Sequence, residues 1–289
     1  MLEKTIKILR SNPIIFIAGA LFILLMAALS IPMVSESREL ASLSTNLFGS
    51  AGGFSIDDTE AMADSYMEMM TYSMDVMVST GKVYLFAILL GLLSIGFMAG
   101  YGNMLASTMN EGKPDWKIFL HGFKKLYGKV FLSSLLLMGL IIAFSIVLSA
   151  ITTPMIMART IRGSFSMESI LESQKTIQII TYILVAFTYP LILLWLPSIF
   201  VNRRDGVVNC FKYGIRASKK MYLKLLPLTA IMLLPSFLMT VISDNIYAMI
   251  ESNYYFLMYP FLAVIVPFAV TYLFVMYQVF RTDNKYKAK

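Results

Sequence analysis

Asp115 to Phe131 reads DWKIFLHGFKKLYGKVF and leads directly into a long apolar run. Trp116, Phe119, Leu120, Phe123, Tyr127 and Val130 recur at helical spacing on one side, while Lys117, His121, Lys124, Lys125 and Lys129 take much of the other. A helix of this kind lies in the membrane plane, its apolar face in the acyl boundary and its lysines toward anionic headgroups. Trp116, Phe119, Phe123, Lys124, Lys125 and Lys129 are its expected surface contacts, and its expected range is 115–129. The order returns downstream, where Lys219-Lys220-Met221-Tyr222-Leu223-Lys224-Leu225 repeats Lys124-Lys125-Leu126-Tyr127-Gly128-Lys129-Val130. Phe211-x-x-Gly214 likewise repeats Phe119-x-x-Gly122. A second in-plane helix is therefore expected over 206–221, with Phe211, Lys212, Arg216, Lys219 and Lys220 at the surface.

The rest of the composition makes the bilayer the expected solvent. Of 289 residues, 58% are hydrophobic and only 14% charged, against roughly 25% charged in soluble domains. Six runs, Pro13–Val34, Val83–Ala106, Val130–Ile151, Ile177–Val201, Tyr222–Ser243 and Tyr254–Phe280, hold no charged residue or histidine except Lys224. Each reaches the roughly 18 residues needed to span. The expected fold is an all-α integral membrane protein, a single polytopic domain over 1–289 with six transmembrane helices.

Loop charges orient it. The N-terminus, the segments after the second and fourth runs and the C-terminus hold 19 of the 24 basic and 5 of the 17 acidic residues. By the excess of Lys and Arg on the cytoplasmic side, both termini and both basic helices are expected inside. The split is +14 inside and −7 outside, so the net +7 reads as topology and attraction to anionic lipid. No soluble basic surface with base-reading groups accompanies it, so no nucleic-acid partner is expected. Membrane lipids and other membrane proteins are the expected partners. Cys210 is the only cysteine, which excludes an intrachain disulfide.

Outside, residues 35–82 form a long connection broken by Gly49, Gly52 and Gly53, with a helix expected near 57–79. Met62, Tyr66, Met70, Met74 and Met77 share one face of it. Thioethers capture Cu(I), but a flexible packing face is the favoured reading, since methionine is also spread through the spans. With the shorter segment 152–176 this helix is expected to form a small exterior cap.

Inside the spans, Gly96-x-x-x-Gly100 offers a small-residue face for close helix packing. The last three spans carry Pro190 and Pro197, Pro227 and Pro235, then Pro260 and Pro267. Proline-broken helices line binding sites in many transporters, which makes these six a candidate pocket; packing kinks are the plainer reading. Asn12-Pro13 opens the first span as a cap and a first-turn proline. That entry echoes the entries to the third and fifth spans, so the chain reads as three successive hairpin units.

Catalytic chemistry is not legible. His121 is the only histidine and sits among lysines, which rules out a metalloprotease motif or a buried serine triad. No nucleotide-binding fingerprint occurs, and no cofactor is expected.

Gly100 to Leu137 and Leu196 to Leu228 each place a span ending in small residues before a charged turn, an F-x-x-G basic helix and another span. In this they resemble uncharacterised prokaryotic six-span proteins similar to the membrane domain fused to some glycerophosphoryl diester phosphodiesterases. The resemblance covers spans two to five and implies fold alone. The metal-binding carboxylates and histidines of the phosphodiesterase are missing, so no functional residue carries over. The expected function is a non-enzymatic accessory or scaffold component, partnering other membrane proteins such as an exporter. The alternative is a permease for a lipid-like or amphipathic molecule.

Overall fold

The computed structural model describes residues 1–51, 59–110, 113–162, 179–242 and 254–287, and every regular element among them is helical. The first helix, α1 (Leu2–Ser11), is short because Pro13 has no N–H and pushes Asn12 out of helical geometry, to φ −137° and ψ 68°. Proline then suits the first turn of α2 (Pro13–Leu29). Ser30 alone separates α2 from α3 (Ile31–Ala51).

Two very long helices follow, α4 (Thr59–Met109) and α5 (Trp116–Arg162). At 1.5 Å per residue they extend roughly 75 and 70 Å, more than twice the hydrocarbon thickness of a bilayer. Then come a helical segment α6 (179–188), a 3-10 turn (Tyr189–Leu191), α7 (Trp195–Val201), α8 (Val207–Ile242) and α9 (Tyr254–Lys287).

The basic segments 115–129 and 206–221 supply the first turns of α5 and α8 and run without a break into the apolar lengths beyond. No proline interrupts α5 before Pro154 or α8 before Pro227, so nothing separates surface helix from span. The separate basic helix is α1, which packs on α9 and α2. Residues 35–82 are likewise helical over their described length. There α3 packs along the first half of α4, and Lys82 Nζ meets Glu36 Oε2 at 3.1 Å. The tip of this pair, 52–58, lies outside the described residues; of the segment 152–176 expected to complete the exterior cap, 152–162 continue α5 as helix and 163–176 lie outside the described residues.

Five helices among the described residues are long and apolar enough to cross a membrane: Pro13–Leu40, Met70–Met109, Trp116–Val147, Ile179–Val201 and Met258–Asp283. The sixth expected span, 222–243, is the second half of α8. From 235 onward most of its side chains lie outside the described residues.

Packing is concentrated at one end. Ile15, Ala99, Met104, Leu105, Val130, Leu194, Phe200, Leu225 and Phe274 are fully or almost fully buried. Farther along, Leu85, Ile88 and Leu89 of α4 and Ile141, Ile146 and Val147 of α5 are exposed. In water such surface opposes folding; in acyl chains it costs nothing.

Candidate functional site at the basic end

Glycine brings the helices together here. A Cβ on Gly122 of α5 would lie 2.3 Å from the Asn103 Cβ and 2.7 Å from the Ala99 carbonyl oxygen, so the α4 and α5 backbones cross in near contact. Gly96 and Gly100 take the rings of Phe123 and Phe119, which would sit 2.6 and 2.7 Å from an added Cβ. The small-residue face of α4 is thus filled from within the chain.

The same joint is built again between α7 and α8. A Cβ on Gly214 would lie 2.4 Å from the Trp195 Cα. Gly122 and Asn103 are separated by 19 residues, as are Gly214 and Trp195. Asn103 Nδ2 donates to the Ile118 carbonyl at 2.7 Å, one residue before Phe119. Ser198 Oγ lies 2.6 Å from the carbonyls of both Cys210, one residue before Phe211, and Trp195, so its single proton is shared. In each joint a polar side chain on the outgoing helix reaches the backbone just ahead of F-x-x-G. The repeat seen in the sequence therefore has a counterpart in packing. The chain break before α7 is also satisfied from α8, since Leu194 N–H donates to the buried Ser218 Oγ at 3.1 Å.

The turn from α7 to α8 has its carbonyls occupied. Lys129 Nζ donates to Asn202 and Arg203 at 2.9 and 3.4 Å, and the buried Cys210 Sγ points at Asn202 and Asp205 at 3.5 and 3.8 Å. Arg203 Nε donates to the Phe200 carbonyl at 3.1 Å, and Asn202 Nδ2 to the Tyr277 hydroxyl at 2.7 Å. Beside this turn is a cavity of about 700 Å³, with Arg203, Arg204 and Arg281 in its wall together with Asp205, Asn110 and Ser107. A smaller one of about 350 Å³ adjoins it through Ser107 and Arg203 and reaches Lys117, His121 and Asn103. Asn103 is 2% exposed, and its Oδ1 has no donor among the described residues.

The residues expected at a membrane surface distribute around this end. Trp116, Phe123, Lys124 and Lys125 are exposed; Phe119 and Lys129 turn inward to Gly100 and to the turn. Phe211 is half-buried, while Lys212, Arg216, Lys219 and Lys220 are exposed, Lys220 with its ammonium 5.5 Å from the Phe280 ring centre. The six prolines do not converge. Pro190 and Pro197 are buried at the α6–α7 break, Pro267 packs against Gly19, and Pro227 and Pro260 are exposed. The side chain of Pro235 lies outside the described residues, and none of the six lines either cavity. Arg203, Arg204 and Arg281 were legible only as topology charges, because α4, the α7–α8 turn and α9 meet only in the folded chain.

Fold and composition define a class: an all-helical chain with several helices long and apolar enough to cross a membrane. Compared with known protein families, curated sequences and solved structures, it matches none.

Proposed function

We propose that this chain is a non-enzymatic, six-span protein of a prokaryotic cell membrane, with both termini and the basic helix ends in the cytoplasm. It acts as an accessory or scaffold component that partners other membrane proteins, such as an exporter. The observation behind this reading is the contrast between a tightly joined basic end and long exposed apolar faces on α4 and α5. Trp116, Lys124 and Lys125, exposed together, suit the anionic headgroup layer. The exposed faces beyond them suit acyl chains or a neighbouring membrane protein. Affinity purification of the full chain in mild detergent is expected to recover a reproducible membrane partner. Recovery of free monomer alone, across several detergents, contradicts the proposal.

A second reading, a permease for an amphipathic molecule, is favoured by the helix break over Tyr189–Leu194, with Pro190 buried inside it. Reconstituted liposomes that pass no labelled lipid-like substrate faster than empty vesicles exclude it.

A further inference from the structure

The cavity beside the α7–α8 turn is rich in guanidinium groups. Arg203, Arg204 and Arg281 line it, and among the described residues of its wall Asp205 is the one carboxylate. None of the three arginines forms an ion pair with a described carboxylate; among the described residues that contact occurs between Lys82 and Glu36. Nor are the guanidinium groups spent on the turn. The Asn202, Arg203 and Asp205 carbonyls are taken by Lys129 and Cys210, and the turn uses Arg203 through Nε alone. The wide N–H edges of three guanidiniums thus remain for a ligand with several acceptor oxygens, the recognition that phosphate esters meet best. The volume, about 700 Å³, lies within the range of small-molecule and headgroup sites. The smaller cavity that adjoins it reaches Lys117, next to Trp116, which sets the site at headgroup depth in the bilayer placement proposed above.

We infer that the Arg203, Arg204 and Arg281 cavity is a binding site for a phosphate ester, either the headgroup of an anionic phospholipid or a soluble phosphate compound. The inference goes beyond the accessory role and stands whether or not a protein partner exists. All three arginines are exposed; Arg203 also holds the Phe200 carbonyl through Nε, so Arg204→Gln and Arg281→Gln are the replacements that leave the turn intact.

The test uses the purified full chain in phosphatidylcholine nanodiscs. In one arm phosphatidylglycerol is titrated in, and in the other inorganic phosphate is added at constant ionic strength; bound ligand is read by native mass spectrometry and by the thermal midpoint. Saturable binding with a raised midpoint is expected in at least one arm. The phosphatidylglycerol arm alone identifies a lipid headgroup, and a response to inorganic phosphate identifies a soluble ligand. Each of Arg203→Gln, Arg204→Gln and Arg281→Gln is expected to weaken binding about tenfold, the factor of one charge-assisted hydrogen bond. A Lys124→Gln, Lys125→Gln variant is the control for general surface charge and is expected to keep the saturable site. The inference is overturned if neither arm saturates, or if the arginine variants bind like wild type. It is also overturned if the lysine control loses as much binding as they do. Loss of protein partners in a separate pull-down would bear on the accessory role and leave this result untouched.

Discussion

A methyl group on Gly214 would approach the Trp195 Cα to 2.4 Å. The atom it would strike is backbone, which cannot rotate aside, so Gly214→Ala is expected to separate α7 from α8. Gly122→Ala strikes the Ala99 carbonyl oxygen at 2.7 Å and is expected to do the same between α4 and α5. Overpacking of this kind costs about 1–3 kcal/mol or more. Gly128 has nothing within 4 Å of an added Cβ, so Gly128→Ala is expected to be neutral or to stabilise by up to about 1 kcal/mol. Thermal midpoints of the three variants in one detergent check this. Equal midpoints would mean that the joints are looser than described.

Ser218 is fully buried and accepts the Leu194 N–H at 3.1 Å where the chain breaks before α7. Ser218→Ala leaves that N–H without a partner, and a buried unsatisfied donor costs about 1–3 kcal/mol. Hydrogen exchange at Leu194 is expected to accelerate in the variant. Protection as strong as wild type would mean that another acceptor serves the break.

Cys210 is fully buried, with its thiol between the turn carbonyls. Maleimide labelling of the native protein is therefore expected to be slow and to become fast only on denaturation. Rapid labelling of folded protein would contradict the placement. The same shielding leaves Cys210→Ala as a quiet background for reporter cysteines.

In that background, Asp75→Cys and Lys219→Cys place one exposed thiol on each side of the proposed bilayer. An impermeant reagent applied to intact cells is expected to label Asp75→Cys and spare Lys219→Cys until the membrane is opened. The reverse pattern would invert the proposed orientation.

Lys82 and Glu36 pair at 3.1 Å, with the lysine about half exposed. Solvent screening holds such a pair to about 1 kcal/mol or less. Lys82→Met is expected to shift the thermal midpoint little, and a large loss would show that the α3–α4 pair relies on this contact.

The sequence carried the helices long and apolar enough to cross a membrane because uncharged runs such as Val83–Ala106 contain nothing that interrupts them. It carried the break at Asn12 because proline acts locally. It marked Phe119-x-x-Gly122 and Phe211-x-x-Gly214 as related, though not that each glycine meets a preceding helix 19 residues back. The run from 115 to 129 read as a separate surface helix because its amphipathic pattern stops where the apolar run begins. A change of pattern is not a change of backbone, however, and without proline the helix simply continues. Arg203, Arg204 and Arg281 escaped notice as a group because 78 residues of chain separate the first from the last.

The uneven burial along α4 and α5 has a mechanical consequence. Where Gly96, Gly100 and Gly122 lock the pair, the helices cannot shift without losing contact; beyond that joint Leu85, Ile88 and Leu89 of α4 and Ile141, Ile146 and Val147 of α5 are exposed. In the proposed bilayer placement such a molecule has a stiff foot in one leaflet and compliant limbs in the other. Changes in bilayer thickness would then be absorbed by the limbs, while the arginine cavity keeps its shape.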